Sequence, residues 1–399
     1  MAWQYINYGY SQVIELLLTR GADPNAADMD GSQPLHSNCW KHEDHEIVSA
    51  KTLFEICDEK RRPLRVDAQT YESGRTPLLL ALNRENKRMA EVLLRRGADP
   101  NLASYEGLAP LRVICDREHR SGILAEMLFK MCDELKRKVE GRREGRIGPY
   151  AAVKNLCPDT VDILLNRGAD LSSFVFLFSK YFDAANKLEY YGKKSKLDIA
   201  SRALAIVELL EKKGYRLDRR DVMITMKFFD RHHLFQKSAD LDEFWYEDEQ
   251  FAKKAKGIML KDTNRSLSLY DSVRLRTKEV AKLFTNEDCL DFLGRLCYLP
   301  INYQEVCSRD LSEKLSARFF QRWALVSFLE VTSYRLPILC CEAILENLMN
   351  QDLYRICLTT TSQSDNESEK NVTTNVIKRY NPRPARTKKV PKKLQDYVG

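Results

Sequence analysis

Cys39, His42 and His45 stand three residues apart in Cys39-Trp-Lys-His42-Glu-Asp-His45. Thiolate and imidazole at such spacing are zinc ligands, but structural zinc takes four of them in a tetrahedron. No fourth lies near by in the chain, so a polar loop or helix start is the expected reading. His232-His233 has no cysteine close to it and reads the same way. GRREGRIG, residues 141–148, has glycines without the G-x-x-x-x-G-K-[ST] arrangement whose backbone N–H groups cradle phosphate, and reads as a flexible basic loop. Asp240–Glu249 gathers six carboxylates around Phe244, Trp245 and Tyr246. Paired carboxylates do acid–base work only where a cleft holds them, and this pattern is that of a helix with an acidic, solvated face. Nucleophile-elbow, kinase and zinc-protease motifs do not occur. The chain is therefore read as a non-enzyme without metal or cofactor.

The surrounding composition fits a soluble protein: 44% of the 399 residues are hydrophobic and 30% charged. No run approaches the ~18–20 apolar residues of a membrane span, and the start MAWQYINYGYS lacks the basic and apolar segments of a secretory signal. The eleven cysteines contain no C-x-x-C pair and read as buried, reduced thiols. A cytoplasmic location is expected, with the nucleus as a further one. The net charge of +7 does not mark a nucleic-acid surface, because residues 359–399 hold nine Lys or Arg against four Asp or Glu. That segment opens on TTTSQSDNESEKN and loses hydrophobic periodicity, as disordered tails do. KRYNPRPARTKKVPKK, 378–393, packs eight basic residues between three prolines and is a solvated tail or a nuclear-import signal.

Self-similarity supplies the elements. ELLLTRGADPN at 15–25 returns as EVLLRRGADPN at 91–101, as DILLNRGAD at 162–170, and in worn form as IVELLEKKGYRLD at 206–218. About ten residues after the first phrase comes a second: DGSQPLH at 30–36, SGRTPLL at 73–79 and EGLAPLR at 105–111. In SGRTPLL, Thr76 is placed to cap a helix and Pro77 to fill its first turn. Leu78, Ala81 and Leu82 then share one face, as do Met89, Val92 and Leu93 on a following helix that stops before Gly97. Each unit exposes an apolar face that only a stacked neighbour can cover. Pro34, Pro77 and Pro110 lie 43 and then 33 residues apart, which places about ten extra residues in one loop. GPYA at 148–151 is a weaker opening.

A period of 33 with a T-P-L-H-like opening and an L-L-x-x-G-A-D ending resembles the ankyrin repeat. The expected fold is all-α: about five such repeats over residues 1–218, the first partial and the last degenerate, followed by a helical connector at 219–264. The resemblance implies a protein-binding solenoid, with partners met at loop tips and inner helices. Met29, Tyr71 and Tyr105 occupy such tips and are the expected target contacts.

Residues 265–358 are helical in pattern without repeating. SARFFQRWALVSFLEVTSY, 316–334, is dense in apolar residues, and LPILCCEAILENLMNQDLYRIC follows at 336–357. There Leu336-Pro337 opens a helix, Ile344 and Leu348 continue a stripe, and Asp352 is placed to cap a shorter helix bearing Leu353 and Ile356. This phrase, at the end of such an array, resembles the PRANC domain of poxviruses, intracellular bacteria and some insects, which is F-box-like. That resemblance implies docking to the Skp-type adaptor of an SCF-type cullin–RING ubiquitin ligase through Leu336, Pro337, Ile344, Leu348, Asp352, Leu353 and Ile356. A full F-box has a third helix, whereas here Thr359 opens the polar tail at 359–399. The resulting expectation is a substrate receptor that holds an unidentified target beside the ligase. The alternative is a scaffold that sequesters a signalling protein with no ubiquitin link. No membrane and no specific nucleic acid is expected as a partner.

Overall fold

The computed structural model describes residues 11–39, 44–116, 121–139, 148–169, 195–235, 245–261, 267–283, 288–289 and 293–361. The mostly helical chain divides into two compact units, one of Met1–Gly192 with Ser201–Leu217, the other of Lys193–Ala200 with Asp218–Gly399.

In the first unit the phrases fold as antiparallel helix pairs. The first helices are Pro34–Ser37, Pro77–Asn83, Pro110–Cys115 and Gly148–Lys154; the second helices are Ser11–Thr19, Asp44–Glu59, Lys87–Arg95, Ser121–Glu134, Pro158–Asn166 and Lys196–Lys212, the last belonging to this unit from Ser201 onward. First helices stack on first helices; among the second helices, Ser11–Thr19 packs on Asp44–Glu59, and Ser121–Glu134 packs on both Lys87–Arg95 and Pro158–Asn166, so neighbouring pairs cover each other's apolar faces. Pro34, Pro77 and Pro110 each open a first helix, and Thr76 Oγ1 accepts the Leu79 N–H at 3.2 Å. Leu78, Ala81, Leu82, Met89 and Leu93 are buried as their spacing predicts, while Val92 is only half-buried. Asn86, unremarkable in the sequence, caps the second helix by accepting the Met89 N–H at 3.0 Å.

The extra residues behind the 43-residue interval do not sit only in a loop. Helix Asp44–Glu59 has 16 residues where Lys87–Arg95 has 9, so much of the insertion lengthens a helix. Its opening falls in the Cys39–His45 motif: Cys39 is buried, and His42 and the side chain of His45 lie outside the described residues. GRREGR, 141–146, lies outside them as well, as do residues 362–399 of the expected tail.

Every second helix ends on a left-handed residue. Gly21, Gly97, Gly168 and Gly214 serve after four of them, with φ between 81° and 109°; Arg61 and Lys136 serve after the other two, at 52° and 54°. Those two positions belong to a longer pattern. LFEICDEKRR at 53–62 returns 75 residues later as LFKMCDELKR at 128–137, so the array repeats in pairs of units. The junctions alternate to match. Where a long second helix is followed by a short one, an arginine lies over a phenylalanine of the long helix: Arg96 over Phe54 at 4.6 Å, Arg167 over Phe129 at 4.9 Å. The same arginines pair with Asp58 and Asp133. Where short is followed by long, an arginine reaches back to a carbonyl: Arg62 Nη1 to Ala22 O at 3.3 Å, Arg137 Nη1 to Ala98 O at 2.9 Å. Asn25 and Asn101 donate the other way, to Pro63 O and Lys138 O. Cys57 and Cys132 share one place in the pattern, and burial pushes both thiols up to about 11.

His36 binds its repeat to the next. Its Nδ1 accepts the Gln33 N–H at 3.1 Å, which leaves the proton on Nε2, 3.0 Å from Ala68 O and 3.1 Å from Arg75 O. Burial holds its pKa below the usual imidazole value.

The second unit is built around the 31-residue helix Ile301–Val331. From Leu311 to Ala317 every residue is buried, so the helix is enclosed on all sides. Around its first half pack Phe251, Leu269, Val273 and Val280. Around its second half, Phe229 and Phe235 meet Phe320 edge-on, with centroids 5.6 and 5.4 Å away. Phe229 belongs to helix Arg219–Arg231, in the stretch expected to be a connector, and it is fully buried. A two-stranded antiparallel ribbon, Met259–Lys261 with Leu267–Ser268, is a small departure from the all-α expectation. The last helix, Asn350–Thr361, runs beyond the expected end at 358: Thr360 is buried with its Oγ1 3.0 Å from Ser327 Oγ.

Glu313 and Lys314, adjacent on the long helix, are both buried and serve two other helices. Lys314 Nζ donates to Ser272 O and Val273 O at the C-terminus of helix Leu269–Arg274 and pairs with Asp310 at 2.8 Å. Glu313 Oε1 accepts the Asn350 N–H at 2.8 Å at the N-terminus of the last helix. A cation thus meets a helix's negative end and an anion a helix's positive end.

Two outcomes test this reading. A left-handed residue other than glycine costs roughly 1–2 kcal/mol. Arg61→Gly and Lys136→Gly are therefore each expected to raise the unfolding free energy by about 0.5–1 kcal/mol once the added freedom of the unfolded chain is subtracted, read as a higher urea midpoint. For His36, a folded pKa below the unfolded one gives stability that is present above pH ~6.5 and lost as pH falls through the folded pKa. The thermal midpoint should drop between pH 7.5 and 5.5 in the wild type, and by less in His36→Asn.

Candidate functional site

Two surfaces present side chains that packing does not use, one on each unit. On the first, a hairpin-like loop precedes the helices Pro34–Ser37, Pro77–Asn83 and Pro110–Cys115. Adjacent loops are joined by backbone: Tyr71 N donates to Asp30 O at 2.9 Å, and Tyr105 N to Ser73 O at 3.1 Å. The tyrosines lie across glycines of the loop before. A Cβ on Gly31 would come within 2.8 Å of the Tyr71 ring, and one on Gly74 within 2.5 Å of the Tyr105 ring, closer than carbon atoms pack. Each ring is thereby held by one face while staying exposed, Tyr71 by 64% and Tyr105 by 63%; Met29, at the matching tip, is 97% exposed. The three expected target contacts thus stand together along one ridge. Missing from the sequence-based expectation is the glycine under each ring, although Gly31 and Gly74 are visible in DGSQPLH and SGRTPLL.

On the second unit, helix Ile338–Leu345 is apolar at every position but Glu342, yet only Cys341 and Leu345 are buried. Leu336, Pro337 and Ile344 are exposed, and Leu348, Asp352 and Ile356 are half-buried. Leu339, absent from the expected contacts, is 77% exposed. Of fourteen large hydrophobic residues exposed among the described residues, six fall between Val331 and Leu358, so the apolar surface is concentrated here. Two expectations need correction. Leu353 is fully buried, because its face of the last helix packs on the long helix, and it has no surface to offer an adaptor. Asp352 does not cap that helix; it lies in the first turn, 3.4 Å from Arg355 Nη1, and Glu313 supplies the cap.

Among the described residues no three His, Cys, Asp or Glu side chains come together as a metal site would require, and no helix is long and apolar enough to cross a membrane. Burial lowers the pKa of His232 to about 4, and no cysteine neighbours it in sequence. What the first unit offers is a stack of helix pairs with an exposed ridge, and that decides its kind.

The first of these repeats are ankyrin repeats. Residues 2–104 match the family model "Ankyrin repeats", in three copies. The chain is 30% identical over 135 residues to the nuclear factor NF-kappa-B p105 subunit of Gallus gallus, an alignment covering 27% of this chain and 14% of that protein. It is 28% identical over 147 residues to the B-cell lymphoma 3 protein homolog of Mus musculus, covering 37% of this chain and 31% of that one. The chain thus spans less than a third of the length of these curated relatives. Among solved structures, the human ASB11 ankyrin repeat domain is similar at 18% identity, with a TM-score of 0.38, over 54% of this chain and 85% of that one. Ankyrin repeats imply a protein-interaction role for the matched residues.

The division between surface and core has a direct consequence. Leu353→Ala should cost about 2–5 kcal/mol of stability, as buried leucines do. Leu339→Ala should stay within about 0.5 kcal/mol. Chemical denaturation of the two variants beside the wild type checks both.

Proposed function

We propose that this chain is a non-catalytic adaptor that holds a partner protein on its ankyrin repeats and presents it through its C-terminal helices to an SCF-type cullin–RING ubiquitin ligase. The observation carrying the second half is the apolar surface around Leu336, Leu339 and Ile344. A helix that leaves such side chains in water gains by burying them, at ~25 cal/mol per Å². On this reading the Skp-type adaptor covers that surface, and Leu336, Pro337, Ile344, Leu348 and Ile356 meet it together with Leu339. The ubiquitin chemistry belongs to enzymes the ligase recruits, which is why the chain needs no reactive centre of its own.

The buried Leu353 favours a second reading. One residue of the F-box-like phrase is core, and the leucine pattern then records packing on the long helix as much as docking. In that case the chain is a scaffold that sequesters its partner with no ubiquitin link.

Co-elution of the full chain with a purified Skp-type adaptor on size exclusion separates the two. The ligase reading expects a complex, and its loss in Leu339→Asp/Ile344→Asp with the thermal midpoint unchanged. No complex with the intact chain removes the ligase and leaves the scaffold.

A further inference from the structure

We propose that the ankyrin hairpin tips form a site for an extended cationic segment of the partner protein, one with Lys or Arg at every third residue. The inference deepens the protein-binding reading of the repeats and rests on it. At three successive tips an exposed large side chain is followed by an exposed carboxylate: Met29-Asp30, Tyr71-Glu72 and Tyr105-Glu106. None of Asp30, Glu72 and Glu106 makes an ion pair with another described residue. Each tyrosine ring rests on a glycine and turns its other face outward, where a guanidinium or ammonium group is attracted to the ring. The carboxylate beside it supplies the matching anion, and Met29 offers a soft apolar surface to the stem of a long cationic side chain.

The spacing selects the shape of the ligand. The tips are joined by the bonds from Tyr71 N to Asp30 O and from Tyr105 N to Ser73 O, so they form one ladder. Each hairpin also pairs its own two arms, Asp28 N to Ser32 O, Thr70 N to Arg75 O and Ser104 N to Leu108 O; at 4.7–4.9 Å per hydrogen-bonded step, successive tips repeat at about 10 Å. A polyproline II segment rises about 3.1 Å per residue with three residues per turn, so every third side chain returns to one face after about 9 Å. A β-strand alternates faces and would turn every second cation of that register away. The ridge therefore fits a polyproline II-like segment in which positions i, i+3 and i+6 are basic.

Fluorescence anisotropy with the full chain tests this, using three labelled peptides of about twelve residues at low ionic strength. One repeats Arg-Pro-Pro, one repeats Glu-Pro-Pro, and one carries the same number of arginines at every fourth position. The Arg-Pro-Pro peptide is expected to bind, and the other two roughly tenfold more weakly or not at all. Asp30→Lys/Glu72→Lys/Glu106→Lys should lose that binding with its melting curve unchanged. Tyr71→Phe, which keeps the ring, should retain it, and Tyr71→Ala should weaken it. Binding that persists in the triple variant, that ignores register, or that fails for all three peptides overturns the inference. Binding of Glu-Pro-Pro alone, lost in Tyr71→Ala, overturns the cationic ligand while leaving the tips as a protein site. Adaptor co-elution measured on the same preparations keeps failure of the ligase reading distinct from failure at the tips.

Discussion

Each second helix of the array has to stop and turn in the same place, because the loop that follows must reach the neighbouring repeat. The left-handed residue after Thr19, Lys60, Arg96, Leu135, Arg167 and Lys213 or its immediate neighbour makes that turn, and much else follows from it. The turn sets where Asn25 and Asn101 meet the next loop. It also sends the hairpins out so that Tyr71 lies on Gly31 and Tyr105 on Gly74. A stack of helix pairs tolerates worn sequence inside the helices better than a missed turn, since a displaced hairpin would lose contacts to both neighbours. That is why GAD survives at three turns while the T-P-L-H-like opening drifts to Q-P-L-H, A-P-L-R and G-P-Y-A.

Two of these turns were hidden. Glycine announces a left-handed residue because it has no Cβ, whereas arginine and lysine announce nothing of the kind. The helix ending before Arg61 is therefore legible only as an unexplained lengthening, which the sequence alone places in a loop. The signal that finds it is LFEICDEKRR against LFKMCDELKR, a similarity at twice the repeat length. At the single period short repeats face long ones, and the similarity is lost. The alternation is physical as well as sequential: one junction is held by Arg96 or Arg167 on an aromatic face, the other by Arg62 or Arg137 on a carbonyl. Individually these surface contacts are worth little, about 0–1 kcal/mol each, so the apolar faces carry the stability.

The second unit was less legible for a different reason. Periodicity reveals a helix when one side is dry and the other wet, and helix Ile301–Val331 has no wet side between Leu311 and Ala317. Its most consequential residues, Glu313 and Lys314, look in the sequence like a solvated charge pair. They are buried because two neighbouring helices end against them, leaving carbonyls at Ser272 and Val273 and an N–H at Asn350 that need partners. No local reading of a sequence supplies that, since the ends come from segments some forty residues away on either side.

The same limit explains which functional expectations changed. A spacing such as L-P-x6-I-x3-L fixes which residues share a helix face but not whether that face looks inward. On helix Ile338–Leu345, Cys341 and Leu345 took the inner side, which left Leu339 outside; on the last helix the long helix took Leu353. The hairpin tips were easier, because a tip has no inner side to choose beyond the glycine beneath it. Met29, Tyr71 and Tyr105 had only to be placed on the loops to be exposed. What remained invisible was their order in space, which comes from the backbone bonds between loops and not from any one loop's residues. Three side chains separated by 42 and 34 positions become one surface through that ladder alone. The period of the solenoid sets that surface, and the sequence of any single repeat says nothing of that period.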